Sequence, residues 1–120
     1  MKLLGELEQR IMDIIWSHDN ALKPAQVLDE LDCGLAYTTI MTVMKRLVEK
    51  DVLKRYKCGN YYCYTAKKSK EDLAEKSLPF LFQDIVSSYG ELAIAQFVDT
   101  LRNSPKDIEL LKEYVEKSNK

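Results

Sequence analysis

Thr38, Met41, Thr42 and Lys45, with Arg46 at the margin, fall on one side of the stretch 35–47, and as a set they can read a nucleic acid. The opposite side carries Ile40, Val43, Met44 and Leu47 at the three-four spacing of a buried helical stripe. Hydroxyls offer hydrogen bonds to base edges, an apolar Met side chain fits a thymine methyl, and cations reach bases or phosphates. A solvated face more often mixes Glu with Lys, whereas Glu49 and Asp51 arrive only at the helix end. The stretch is a candidate recognition helix. On spacing alone, a partner-binding helix is the alternative.

Such a helix needs neighbours that hold it. Periodicity predicts a first helix from about Gly5 to Ser17, with Leu4, Leu7, Ile11, Ile14 and Ile15 on one stripe. Trp16 closes it against the core, and Glu6 stands four residues before Arg10. A second helix starts at Pro24, turns Val27, Leu28 and Leu31 inward, and stops at Asp32-Cys33-Gly34. The third runs from near Tyr37 to about Lys50, which makes a helix-turn-helix. Two apolar and aromatic runs follow, 52–57 and 61–65, split by Cys58-Gly59-Asn60 in the manner of a tight hairpin. Parity puts Leu53, Arg55, Lys57, Tyr62 and Tyr64 on one face and Lys54, Tyr56, Tyr61 and Cys63 on the other. Leu53, Tyr62 and Tyr64 are expected to face the core. The hairpin is then a wing, whose tip, Lys57 to Tyr61, can reach the DNA backbone or minor groove.

Ser69-Lys70-Glu71-Asp72 resembles a capping box, and everything beyond it reads as helix. Leu73, Leu78, Phe80, Leu81, Ile85 and Val86 line a first segment, which Pro79 is expected to bend. Gly90 precedes a second, with Ala93, Ile94, Phe97, Val98 and Leu101, and Asn103-Ser104-Pro105 a third, with Ile108, Leu111, Tyr114 and Val115. Three helices of this size bury too little apolar surface alone, so two copies are expected to interleave their stripes in a homodimer. The predicted fold is mainly α: an α+β winged helix-turn-helix domain at 1–68 and a helical dimerisation module at 69–120.

The formal net charge of −1 hides a division that decides whether a polyanion can bind. From 36 to 68, eight Lys or Arg face only Glu49 and Asp51, a net +6; from 69 onward the net is −3. Local positive charge is what counterion release from DNA requires. No apolar run approaches a bilayer span, so no membrane insertion is expected. Met1-Lys2-Leu3-Leu4-Gly5 passes at once to Glu6 and Glu8, which does not fit a signal peptide and points to a cytoplasmic protein. With a single histidine, His18, no nucleophile elbow and no phosphate-binding glycine loop, catalysis is not expected, nor is a cofactor or metal ligand set. Cys33, Cys58 and Cys63 are expected to be reduced. Cys58 and Cys63 lie at a diagonal spacing across the wing, long for a disulfide, which keeps a redox or thiophilic-metal switch as an alternative.

Leu-Gly-Glu-Leu-Glu at 4–8, Ile-Ile-Trp at 14–16 and Leu-Ala-Tyr-Thr-Thr-Ile-Met-Thr-Val followed by Arg46-Leu47 resemble the penicillinase-repressor family. The resemblance implies a dimeric winged-helix repressor on inverted-repeat operators with TACA-like half-sites, in front of resistance or stress genes. It places Thr38, Thr39, Met41, Thr42, Lys45 and Arg46 in the major groove, and Lys54, Arg55 and the Lys57 to Asn60 turn in the wing. For Tyr37 two readings stand, a phosphate-binding phenol or a core residue at the helix start. Several members carry a basic residue in place of Met41 and an Arg or Lys in place of Asn60, so base preference is expected to differ. In the penicillin-responsive branch a membrane-bound sensor triggers cleavage of an Asn-Phe bond; the matching bond here is Gln96-Phe97, and Phe97 equally reads as a residue of the dimer interface. The paired Cys-x-Cys motifs of the copper-responsive branch are absent from this sequence. A winged helix serving as a protein-interaction module is the rival of a different class.

Overall fold

The computed structural model describes residues 4–119; the Met1-Lys2-Leu3 part of the leader argument lies outside them. In chain order the elements are α1 (Glu6–Trp16), α2 (Pro24–Leu31), α3 (Tyr37–Glu49), β1 (Leu53–Cys58), β2 (Tyr61–Ala66), α4 (Lys70–Tyr89), α5 (Glu91–Arg102) and α6 (Pro105–Ser118). They form two compact units, one ending at Pro79 and one beginning at Phe80, and α4 contributes to both.

In the first unit three helices enclose one apolar core. Ile11, Met12 and Ile15 from α1, Val27 and Leu31 from α2, and Ile40, Val43, Met44 and Leu47 from α3 are all buried. Each such side chain contributes ~1.5–3 kcal/mol by leaving water. Met12 was not on the stripe read from sequence. The buried face of α1 is centred on 8, 11, 12 and 15, so Leu4, Leu7 and Ile14 are only partly covered at its edge. Pro24 occupies the first turn of α2, where its missing N–H costs nothing, and Gln26 Oε1 accepts the Lys23 backbone N–H at 2.8 Å. Asp32 (φ 44°) and Gly34 (φ 71°) then reverse the chain through left-handed backbone into α3.

The wing is a two-stranded antiparallel ribbon with Cys58 opposite Tyr61, which makes Gly59-Asn60 its two-residue turn. Gly59 has φ +70°, the conformation a hairpin of this length demands. The faces follow the expected parity, and Leu53 and Tyr64 are buried. Tyr62 does not follow them inward: it is 40 % exposed. It pairs with Lys57 near the tip, beyond the reach of the helical core, and its ring lies under the Arg55 guanidinium, 4.3 Å from the centroid. Cys63, on the opposite face, is buried. Leu22 extends the ribbon by a bridge to Tyr64, with Leu22 N–H to Tyr64 O at 3.0 Å and the reverse bond at 2.8 Å.

Ser69 Oγ accepts the Asp72 N–H at 3.0 Å and caps α4, which continues through Pro79. Leu73 on its first half joins the core of the first unit. In the second unit α5 and α6 contain no buried residue at all.

Candidate nucleic-acid interface

The three-four stripe of α3 is buried against α1 and α2, so its other side is forced outward. Thr38, Thr39, Met41, Thr42, Lys45 and Arg46 are all exposed, as is Tyr37 in the first turn. Thr42 Oγ1 donates its proton to the Thr38 carbonyl at 2.9 Å, so toward a ligand it presents its methyl and an acceptor lone pair.

Ion pairing sorts the cations of the basic stretch. Lys50 holds Glu8, and Lys67 and Lys68 both approach Asp51 at the base of the wing. Among the described residues, Lys45, Arg46, Lys54, Arg55 and Lys57 make no ion pair, and all five are exposed. Within the basic stretch, the cations without an ion pair therefore lie on the outer side of α3 and on the wing, where a polyanion could release counterions by docking. Asn60 sits exposed at the wing's turn.

Two features that position this surface were not read from sequence. Lys23, at the start of α2, lies over the Tyr61 ring, 4.4 Å from its centroid, and adds a cation beside the wing. Glu8 is 7 % exposed on α1 and receives both Lys50 Nζ contacts, at 2.9 and 2.8 Å, and the Gly5 N–H at 2.8 Å. Lys50 caps the C-terminus of α3, so the pair pins the end of that helix to α1. Burial alone raises the Glu8 carboxyl. The Lys50 hydrogen bonds, the Gly5 N–H and the charges of Lys50 and Arg46 outweigh it and hold the group below the usual 4.5. A carboxyl depressed in the folded state stabilises the fold above its unfolded value, and that stabilisation is lost as pH falls through its folded value. Glu8→Gln is expected to cost ~1–2 kcal/mol at neutral pH. In thermal melts at pH 7 and at pH 3 the wild type should lose more stability than Glu8→Gln; equal losses would show that the pair contributes nothing.

Of the residues assigned to the C-terminal module, Ile85, Ile94, Phe97, Val98 and Val115 are exposed and Leu78, Leu81, Leu101 and Leu111 half-buried. Gln96 and Phe97 lie in the middle of α5, so the bond between them is helical rather than extended.

A sequence model of the family described as penicillinase repressor matches residues 4–117. The transcriptional regulator BlaI of Mycobacterium tuberculosis is 31% identical over 99 residues, which are 80% of this chain and 72% of that protein. The penicillinase repressor of Staphylococcus aureus is 24% identical over 108 residues, 88% of this chain and 85% of that protein. Among solved structures, the DNA-binding domain of the repressor BlaI superposes with a TM-score of 0.52 at 28% identity, covering 57% of this chain and 85% of that one. A match over nearly the whole sequence, with the same winged-helix domain, means that the chain belongs to the penicillinase repressor family of transcriptional repressors.

Proposed function

We propose that the chain acts as a homodimer that binds double-stranded operator DNA, with α3 in the major groove and the wing on the backbone. The observation that carries this reading is that five exposed cations without an ion pair, Lys45, Arg46, Lys54, Arg55 and Lys57, gather on α3 and the wing beside the exposed Thr38, Met41 and Thr42. Thr39 and Tyr37 flank that surface at the helix start, and Asn60 extends it at the wing tip. The relatives named as repressors support a role in silencing genes, and the family resemblance supports inverted-repeat operators with TACA-like half-sites near resistance or stress genes. It also supports a membrane-bound sensor upstream; among the described residues of this chain no helix is long and apolar enough to cross a membrane.

Dimerisation is supported by what the second unit leaves uncovered. Leu92, Phe97 and Tyr114 stand in solvent, and Phe82, Ile85, Val86, Ala93, Ile94 and Phe97 line an apolar cleft of about 300 Å³. Contiguous apolar surface of this kind marks an interface, and a second copy supplies the complementary face by symmetry.

The test is binding to a short inverted-repeat duplex over a salt series. Lys45→Ala and Arg46→Ala are expected to cost ~1–3 kcal/mol each through base contacts, and Lys54→Ala to reduce the salt slope by about one. A slope near zero, or no binding at low salt, would favour a protein-interaction module instead.

A further inference from the structure

The wing holds a pair of thiols to which the proposed DNA contacts assign no role. In the register of β1 and β2, Cys58 faces Tyr61 and Cys63 faces Tyr56, so all four side chains share one side of the ribbon and the two cysteines are diagonal neighbours. Both cysteines are free; Cys63 is buried and Cys58 half-buried. The neighbouring Cys58 thiol and burial push the Cys63 thiol above its usual range, while the charge of Lys23 acts in the opposite direction. Two diagonal thiols on one side of the ribbon, with the Lys23 ammonium over Tyr61 on that side, form a local arrangement that neither the helical core nor a phosphate contact explains.

The spacing discriminates between the uses of a thiol pair. A diagonal pair across a ribbon has Cα atoms about 7–8 Å apart, whereas a disulfide usually wants about 4.4–6.8 Å. A linear sulfur–metal–sulfur bridge with two arms of about 2.3 Å separates its sulfurs by about 4.6 Å, where a disulfide holds them at about 2 Å, and spans that gap without moving the strands. A thiol held protonated is also a poor nucleophile for disulfide formation, but a soft ion displaces its proton. Hard cations find neither the oxygen ligands nor the ligand number they need, and among the described residues no cluster of three or more His, Cys, Asp or Glu is poised to hold a metal.

We propose that Cys58 and Cys63 form a two-coordinate site for a soft monovalent d10 cation such as Cu(I) or Ag(I). Binding forms two metal–sulfur bonds and releases two thiol protons to solvent, leaving a bis-thiolate complex with one net negative charge. Lys23, held over Tyr61 beside the pair, balances that charge.

The experiment titrates the reduced, full-length chain with Cu(I) under anaerobic conditions against bathocuproine disulfonate as competing chelator. One Cu(I) per chain is expected, with a sulfur-to-copper charge-transfer band in the ultraviolet. Cys58→Ser should weaken binding at least 100-fold with its helical circular dichroism intact, since Cys58 is not part of the core. Cys63→Ser should do the same, and Cys33→Ser should change nothing. Full competition by the chelator, binding that survives in Cys58→Ser, or loss of binding in Cys33→Ser would each overturn the site.

Discussion

Phe97→Asp is expected to leave the chain monomeric and to lower its affinity for a duplex with two half-sites by about 10²- to 10⁴-fold, with single half-site binding unchanged. The cause lies in what α5 lacks: it has no buried residue, and Phe97 itself is 49 % exposed at the lip of the apolar cleft. Within one chain an aspartate there meets water and costs little. Between two chains it places an unpaired carboxylate in an apolar interface, where neither water nor a cation compensates its desolvation. A repressor that grips two half-sites holds the second at an effective concentration set by the dimer, and losing the dimer forfeits that term, about 3–5 kcal/mol. Sedimentation velocity checks the first half of the expectation and titration of one- and two-half-site duplexes the second. A variant that still sediments as a dimer would remove this face from the interface.

The N-terminal unit shows how far sequence reading reaches. Periodicity located α3 and its outward side because a helix that packs on one face must repeat every three or four residues, and Ile40, Val43, Met44 and Leu47 do so and are buried. The wing's faces were legible for the same reason at period two, whereas the choice between Cys58-Gly59 and Gly59-Asn60 as the turn was open in the sequence and is made by the pairing of Cys58 with Tyr61. Periodicity assigns a face but not a depth. Tyr62 shares a face with Leu53 and Tyr64, yet the core ends before it, and only the tertiary fold shows where. Likewise Met12 and Glu8 belong to the buried side of α1, whose centre depends on how α3 crosses it. The Glu8–Lys50 pair and the Lys23–Tyr61 stack join residues far apart in sequence, and no local pattern announces either. The set of cations left without an ion pair, which narrows eight basic residues to five, is information of the same tertiary kind.

Leu47→Ala is expected to destabilise the N-terminal unit by ~2–5 kcal/mol and to lower its melting temperature by roughly 10 °C or more. Leu47 is fully buried in the last turns of α3, and its backbone carbonyl accepts the Val52 N–H at 3.0 Å where the chain enters the wing. Truncation there removes apolar contacts and leaves a cavity between α3 and β1, which the surrounding helices can only partly collapse. Trp16 makes the measurement specific. It is the one tryptophan in the chain, it is half-buried in the N-terminal unit, and its indole N–H donates to the Lys68 carbonyl at 3.0 Å, so its fluorescence reports that unit rather than the C-terminal helices. Met41→Ala, one turn and a half earlier on the exposed side, should shift the same transition by no more than ~0.5 kcal/mol. The contrast tests more than packing. The assignment of Thr38, Met41, Thr42, Lys45 and Arg46 to the DNA follows from α3 being rotated so that Leu47 points inward. Were the two substitutions to reverse in rank, the helix would be turned the other way and that assignment would fall with it.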